Sequence, residues 1–325
     1  MSVPLLEVQD LHVWFELPDG SELHAVQGAR FSLTEGERFG LVGESGCGKT
    51  TAILAVMGLL PPNASVAGRV LLEGENVLAR GEESVSPHRW KDVAMVFQGA
   101  MNAFNPVQRV GDQIAEPMEV HGVAEGRDAS KRAAELLELV GIPAVRAALF
   151  PHELSGGMRQ RAAIAMALAC SPKVLLADEP TTALDVMVQA QILELLVGLT
   201  NDLGLALVLV THDLAVVAQA CGRAAVMYAG EIVESGPVGA LYHEPRHPYT
   251  RLLFAATPDL LGEGDVVSIS GTPPRLDREL VGCPFAPRCD RAFEPCSAAR
   301  PALLPTGRGQ EAACHLNDPA TATAP

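Results

Sequence analysis

Residues Gly43-Glu44-Ser45-Gly46-Cys47-Gly48-Lys49-Thr50 fit the pattern G-x-x-x-x-G-K-[ST], a spelling with a physical reason. Its glycines let successive backbone N–H groups turn inward around an anion. The helix that starts there adds the partial positive charge of its N-terminus. Lys49 has the reach for the β- and γ-phosphates of a nucleotide, and the Thr50 hydroxyl, with Thr51 beside it, can serve a bound Mg²⁺. Cys47 reads as a small loop residue without a redox role.

A second cluster completes a hydrolytic site. Val174-Leu175-Leu176-Ala177-Asp178-Glu179 is an apolar strand ending in two acids, 129 residues after Lys49. A carboxylate at such a strand end can hold a metal through water. A second one beside it can orient or deprotonate an attacking water. His212 follows another apolar run and should sit at the same strand-end edge, where a neutral imidazole can hold a γ-phosphate and water in line. Leu154-Ser155-Gly156-Gly157-Met158-Arg159-Gln160-Arg161 marks a further helix start, with Ser155 as its N-cap and two glycines behind it. One nucleotide does not need two such helix ends in a monomer. The economical expectation is a head-to-tail dimer in which the Ser155 loop of one copy serves the nucleotide of the other.

These residues need a frame. Residues 5–33 read as short β segments around the Pro18-Asp19-Gly20 turn, and residues 38–42 as a strand entering the glycine loop. A helix is expected over 50–57, strands over 93–97, 174–177 and 206–210, and a helix over 186–202. Residues 110–169 turn helical, with 131–140 the clearest amphipathic stretch. Alternating strands and helices predict a mostly parallel α/β sheet carrying an inserted helical subdomain. The 325 residues, 48% hydrophobic and 19% charged, can bury such a core, and global disorder is excluded. A net charge of −15 argues against nucleic-acid partners and against electrostatic adhesion to anionic lipid. No apolar run approaches a bilayer span, and Met1-Ser2-Val3-Pro4 does not open a signal peptide, so a cytosolic protein with reduced thiols is expected.

The order of phosphate loop, Gln98, residues 154–160, Asp178-Glu179, Asp185 and His212 resembles the ATP-binding subunit of an ABC transporter over essentially the whole chain. The resemblance implies a P-loop NTPase fold with a RecA-like core, an N-terminal antiparallel β subdomain, a helical subdomain near 108–170 and a C-terminal extension. Residues 1–248 would form the ATPase domain and 249–325 the extension. It further implies that Phe15 stacks on adenine, with adjacent Trp14 as rival. Gln98 would sense Mg²⁺ or water and couple to membrane subunits. Ser155, Gly156 and Gly157 would form the signature loop, Glu179 the catalytic base, Asp185 part of the D-loop, and His212 the switch histidine.

Two further stretches resemble ATPases of the oligopeptide, dipeptide and nickel importer group: His247-Pro248-Tyr249-Thr250-Arg251-Leu252-Leu253, and Gly271-Thr272-Pro273-Pro274 with Gly282-Cys283-Pro284-Phe285-Ala286-Pro287-Arg288-Cys289. Asn105-Pro106 fits as well, whereas Gly99-Ala100 stands where the group usually has an acid and a proline. Cys283, Cys289, Cys296 and Cys314 are spaced C-x5-C-x6-C-x17-C, which is not the C-x2-C pair of a zinc ribbon. Four thiolates suffice for a [4Fe–4S] cluster or a Cys₄ zinc site, or stand as free thiols. The resemblance points to the cluster, with His315 a bystander.

The resemblance implies an importer ATPase at the cytoplasmic face of the membrane. Its expected partners are two transmembrane permease subunits, a second ATP-binding subunit, commonly a paralogue, and, indirectly, an extracytoplasmic substrate-binding protein. Peptides lead as cargo, ahead of nickel chelates and oligosaccharides. The alternatives are a soluble ABC ATPase in a non-transport role and a redox-sensing regulatory subunit built on the cysteine tail.

Overall fold

The computed structural model describes residues 4–99, 103–256, 269–278 and 280–318. Ala100 of the Gly99-Ala100 departure and residues 319–325 of the tail lie outside the described residues. The chain divides into two compact units. The first comprises Met1–Leu33, Arg38–Ala79 and Val210–Pro325, the second Thr34–Glu37 and Arg80–Leu209.

The strands are β1 (Leu6–Glu16), β2 (Glu22–Leu33), β3 (Arg38–Val42), β4 (Ala64–Leu72), β5 (Glu75–Asn76), β6 (Val93–Val96), β7 (Val174–Asp178), β8 (Ala206–Thr211), β9 (Arg223–Tyr228), β10 (Glu231–Pro237), β11 (Leu304–Gly307) and β12 (Gln310–Ala312). In the first unit, β2-β1-β4-β5 form an antiparallel sheet. Leu6, Val8, Leu11 and Val13 of β1 are buried between more exposed neighbours, the alternation of a sheet with one covered face. Sequence reading did not anticipate β4, whose residues 65–69 are exposed and mostly small or polar. Its pairing is supplied by β1, from Leu6 opposite Leu72 to Phe15 opposite Ala64, with a one-residue shift between Gln9 and His12.

The same unit holds the strand order β11-β12-β10-β9-β3, with β3 and β9 parallel and β9 and β10 antiparallel. Phe39, Leu41 and Val42 of β3 are buried, the continuous apolar run of a strand covered on both faces. β3 runs directly into the phosphate loop and the helix Lys49–Val56.

In the second unit, β6 and β7 are parallel and every residue of each is buried. The expected helical stretch 110–169 is broken into Val110–Val120, Gly126–Leu139 and Gly156–Ala167, with short 3₁₀ turns at Ala144–Ala148 and Pro151–Glu153. Pro143 and Pro151 stand at the starts of those two turns, and neither can donate a helical N–H. Val186–Leu203 is the long helix after β7. Among the described residues no helix is long and apolar enough to cross a membrane.

Candidate nucleotide site

In the first unit the phosphate loop is held from behind and open in front. Ser45 and Gly46 form its exposed crest, while Gly43 and Cys47 are buried. The Cys47 carbonyl accepts from Gly230 N–H at 2.9 Å. Gly48 has φ +106°, and a Cβ there would lie 2.4 Å from the Ala25 carbonyl oxygen, so only glycine fits. Lys49 is 5% exposed, and its Nζ donates to the carbonyls of Gly43 (2.7 Å) and Glu44 (3.0 Å). The ammonium is thus carried on the inner side of the loop. Helix Lys49–Val56 has no side-chain cap and no acid in its first turn. Its leading N–H groups and positive dipole end suit an anion. Thr50 is exposed at that end and Thr51 half-buried. Burial pushes the Cys47 thiol up, which keeps it protonated and matches a packing role.

His212 is exposed just beyond β8, also in the first unit. The turn presenting it is braced: Thr211 Oγ1 accepts from Asp213 N–H at 3.0 Å, and Asp213 caps the next helix through Ala215 N–H at 2.8 Å. On β1, Trp14 stacks on His24 at 4.6 Å and on His12 at 5.4 Å. Phe15, half-buried, takes the alternate side of the strand, the side of buried Leu11 and Val13. The ring of Trp14 is therefore already engaged.

The second unit carries the acids. Asp178, last residue of β7, is 1% exposed. Glu179 follows in the left-handed region with φ +43°, although it precedes Pro180. Such a backbone costs about 1–3 kcal/mol and persists only where neighbours enforce it. Gln98 Nε2 donates to Glu179 Oε2 at 3.0 Å, and Thr182 Oγ1 donates to the same oxygen at 2.9 Å. The pairing follows from register. Val96 of β6 lies opposite Ala177 of β7, and Gln98 and Glu179 each stand two residues further on. Sequence reading gave these two residues separate roles; the structure places them in one hydrogen-bonded group.

Ser155 caps helix Gly156–Ala167 by accepting from Met158 N–H at 3.3 Å, as expected. Asp185 is the N-cap of Val186–Leu203, accepting from Val188 N–H at 3.0 Å. The two helix starts touch: a Cβ at Gly157 would lie 2.7 Å from Val188 Cγ1. That explains the second glycine, since a side chain there would push the helices apart. Val186 and Met187 beside this contact are 78% and 72% exposed.

Behind the phosphate loop lies a shell that motif reading did not assign to the site. His247 caps the helix Pro248–Ala255 by accepting from Tyr249 N–H at 3.0 Å. The carboxylate of buried Glu234 accepts from Arg246 N–H (2.7 Å) and His247 N–H (2.9 Å). Burial holds His247 down to about 3, so it is neutral at physiological pH. Tyr249 is fully buried, and its hydroxyl accepts from Glu44 N–H at 2.9 Å. The signal was in the His247-Pro248-Tyr249 motif, which sequence reading used only as a marker of the importer group.

Cys283, Cys289, Cys296 and Cys314 border one cavity with His247, Phe285 and His315. Burial pushes the Cys283 and Cys314 thiols up to about 11. Among the described residues, however, no group of three or more His, Cys, Asp or Glu side chains is arranged to hold a metal ion. The expected [4Fe–4S] site is therefore not supported by the arrangement as it stands: the thiols share a cavity without forming a ligand set. His315 Nε2 pairs with the Ala299 carbonyl at 2.9 Å, in keeping with a bystander.

The profile of the ABC transporter family matches residues 26–182, and that of the oligopeptide/dipeptide transporter C-terminal region matches residues 233–296. The chain is 45% identical over 300 residues to the oligopeptide transport ATP-binding protein of Escherichia coli, covering 91% of this chain and 89% of that protein. It is 43% identical over 319 residues to the dipeptide transport ATP-binding protein of Bacillus subtilis, covering 97% and 95%. An oligopeptide transport ATP-binding protein of Mycobacterium tuberculosis is 49% identical over 316 residues, covering 96% of this chain and 52% of that protein, so the chain spans about half the length of that relative. Among solved structures, a dimeric ATP-binding cassette in a post-hydrolysis state with ADP and phosphate is similar at TM-score 0.64 and 28% identity, covering 72% of this chain and 98% of that one.

Proposed function

The chain belongs to the ABC transporter family of ATP-binding proteins, in its oligopeptide and dipeptide group, and we propose that it binds and hydrolyses ATP to drive peptide import through a membrane transporter. Two observations, one in each unit, support the reading: a phosphate loop with a buried lysine, and a glutamate fixed beyond an apolar strand by Gln98.

In this reading Lys49 and the Lys49–Val56 helix start hold the phosphates, and Phe15 stacks on adenine. The oxygens of Thr50, Asp178 and Gln98 suit Mg²⁺, which when bound spreads the charge of the β- and γ-phosphates. Glu179 accepts the proton of the attacking water, and His212 keeps that water in line. Charge stabilisation and positioning do most of the work, as in phosphoryl transfer generally. Ser155, Gly156 and Gly157 act on the nucleotide of a second ATP-binding subunit docked head-to-tail, with Asp185 at the same surface. The exposed apolar pair Val186 and Met187 supports a partner there. Closing and reopening of that dimer would move two permease subunits, fed by an extracytoplasmic binding protein. The chain would then lie peripherally at the cytoplasmic face, with 1–248 as ATPase domain and 249–325 as extension.

For the extension, the reading is that the four cysteines bind a [4Fe–4S] cluster. The sulfur-only set around one cavity supports it, and it requires the thiols to close on a common centre. Iron, sulfide and zinc analysis of anaerobically purified protein tests it. Stoichiometric zinc, or no metal with four alkylatable thiols, contradicts it. The functional reading is tested by purifying the chain with its membrane partners and assaying peptide uptake in vesicles. ATP-dependent uptake is expected; ATPase activity that never couples to membrane proteins contradicts the importer role.

A further inference from the structure

Glu44 poses an electrostatic problem. A loop that binds a polyanion carries a carboxylate one residue after its first glycine. The structure answers it from far along the chain. Arg288, inside the Cys283–Cys289 stretch of the extension, is 4% exposed at its side chain. Its Nη1 donates to Glu44 Oε2 at 2.7 Å and its Nη2 to Glu44 Oε1 at 2.9 Å, a two-pronged pair. Its other donors are also used: Nε to the Ser270 carbonyl at 2.9 Å, Nη2 to the Ile269 carbonyl at 3.3 Å, and Nη1 to Tyr228 Oη at 3.3 Å. The guanidinium lies over the rings of Tyr228 and Phe285, at 5.7 and 6.0 Å from their centroids. Tyr228, Tyr249 and Phe285 in turn pack ring against ring at 4.6–5.3 Å.

Glu44 is thereby held at three points. Arg288 takes its carboxylate, Tyr249 takes its N–H, and Lys49 reaches its carbonyl at 3.0 Å. The last contact links Arg288 to the phosphate-binding lysine through one residue. We propose that Arg288 is a positioning residue for ATP binding: it neutralises Glu44 and fixes the phosphate loop, so that the C-terminal extension sets the affinity of the cassette for nucleotide. This rests on the reading of residues 43–50 as the ATP phosphate loop. It also gives the extension a task independent of any metal at its cysteines. A staple of the fold alone would make Arg288 matter for stability only. Neutralisation makes a sharper demand: the harm of losing the arginine comes from the carboxylate left behind.

The test compares variants of the full chain by affinity for a fluorescent ATP analogue, KM and kcat for ATP, and melting temperature. Arg288→Ala should weaken nucleotide binding and raise KM about tenfold, the scale of one unpaired charge near a surface site, with kcat within about twofold. Adding Glu44→Gln to Arg288→Ala should recover most of that loss, although the double variant still lacks the ion pair. Arg288→Lys, which keeps the charge but loses the fork, should fall between parent and Arg288→Ala. Should Arg288→Ala not fold, Arg288→Lys and the double variant carry the comparison. A double variant as weak as Arg288→Ala, or an Arg288→Ala affinity equal to the parent's, overturns the inference. Lys49→Ala run in parallel separates the two readings. If it loses nucleotide and Arg288→Ala does not, the inference alone fails; if neither does, the phosphate-loop reading fails.

Discussion

Two helix starts in this chain are built for opposite circumstances. Lys49–Val56 begins at Gly48 with no side-chain cap, and the lysine at its start is almost fully buried. Gly156–Ala167 begins at Ser155, which already takes the Met158 N–H, and has no lysine in its first turn. Both lack a first-turn acid, which would compete with an anion. The first start is backed by its own unit, with Lys49 Nζ drawn onto the Gly43 and Glu44 carbonyls. The second carries a side-chain cap on one of its N–H groups and is stiffened by the close approach of Gly157 to Val188. It suits a surface that meets a nucleotide held elsewhere. A helix N-terminus therefore does not by itself identify a binding site; what surrounds it decides.

The largest effect expected from this contrast concerns Glu179. Glu179→Gln should lower the steady-state ATPase rate about 10²–10⁴-fold while nucleotide binding at the first helix start is retained. A rate within about threefold of the parent would remove Glu179 from its role as base and leave the first start without a catalytic partner.

Next in size is the cap itself. Ser155→Ala removes an N-cap and should cost about 1 kcal/mol of stability in denaturant unfolding, with ATP affinity of the isolated chain unchanged. A parallel loss of affinity would mean that the Ser155 start is not self-contained.

A third effect, read as a pH slope rather than at one pH, concerns the buttress behind the phosphate loop. Burial depresses His247 from the usual 6.5 to about 3 in the folded chain. Between those values the unfolded chain binds a proton that the folded chain refuses, so stability is full above about 6.5 and falls as pH drops towards 3. His247→Asn keeps a cap acceptor without the titration. Its stability should fall less steeply with acid, by about one proton's worth of slope, in unfolding measured from pH 7 to 4. Parallel slopes for parent and variant would show that His247 does not stay neutral.

The motifs were legible because phosphate chemistry fixes both residue types and spacing: residues 43–50, 154–160 and 178–179 were found without coordinates. β3, β7 and β8 were legible because strands buried on both faces are apolar along nearly their whole length, polar only at one end: Arg38, Asp178 and Thr211. β4 was not, since its exposed residues carry no such pattern and its place comes from pairing with β1. The Gln98–Glu179 bond depends on the register of two strands 81 residues apart, and the Arg288–Glu44 pair joins residues 244 apart. Local sequence holds no record of such contacts. The four cysteines teach the converse: the resemblance pointed to a cluster, whereas among the described residues the thiols share a cavity without being arranged to hold a metal ion.

The central claim is that the two helix starts act in different places, one on the chain's own nucleotide and one on a partner's. It is tested most directly by the ATP affinity of the isolated chain, measured with a fluorescent analogue, for Lys49→Ala and Ser155→Arg side by side. The account predicts that Lys49→Ala abolishes productive binding, whereas Ser155→Arg binds as the parent does and fails only in ATP-dependent association with a second ATP-binding subunit. Equal loss of affinity in both variants would place Ser155 in its own chain's site and contradict the account.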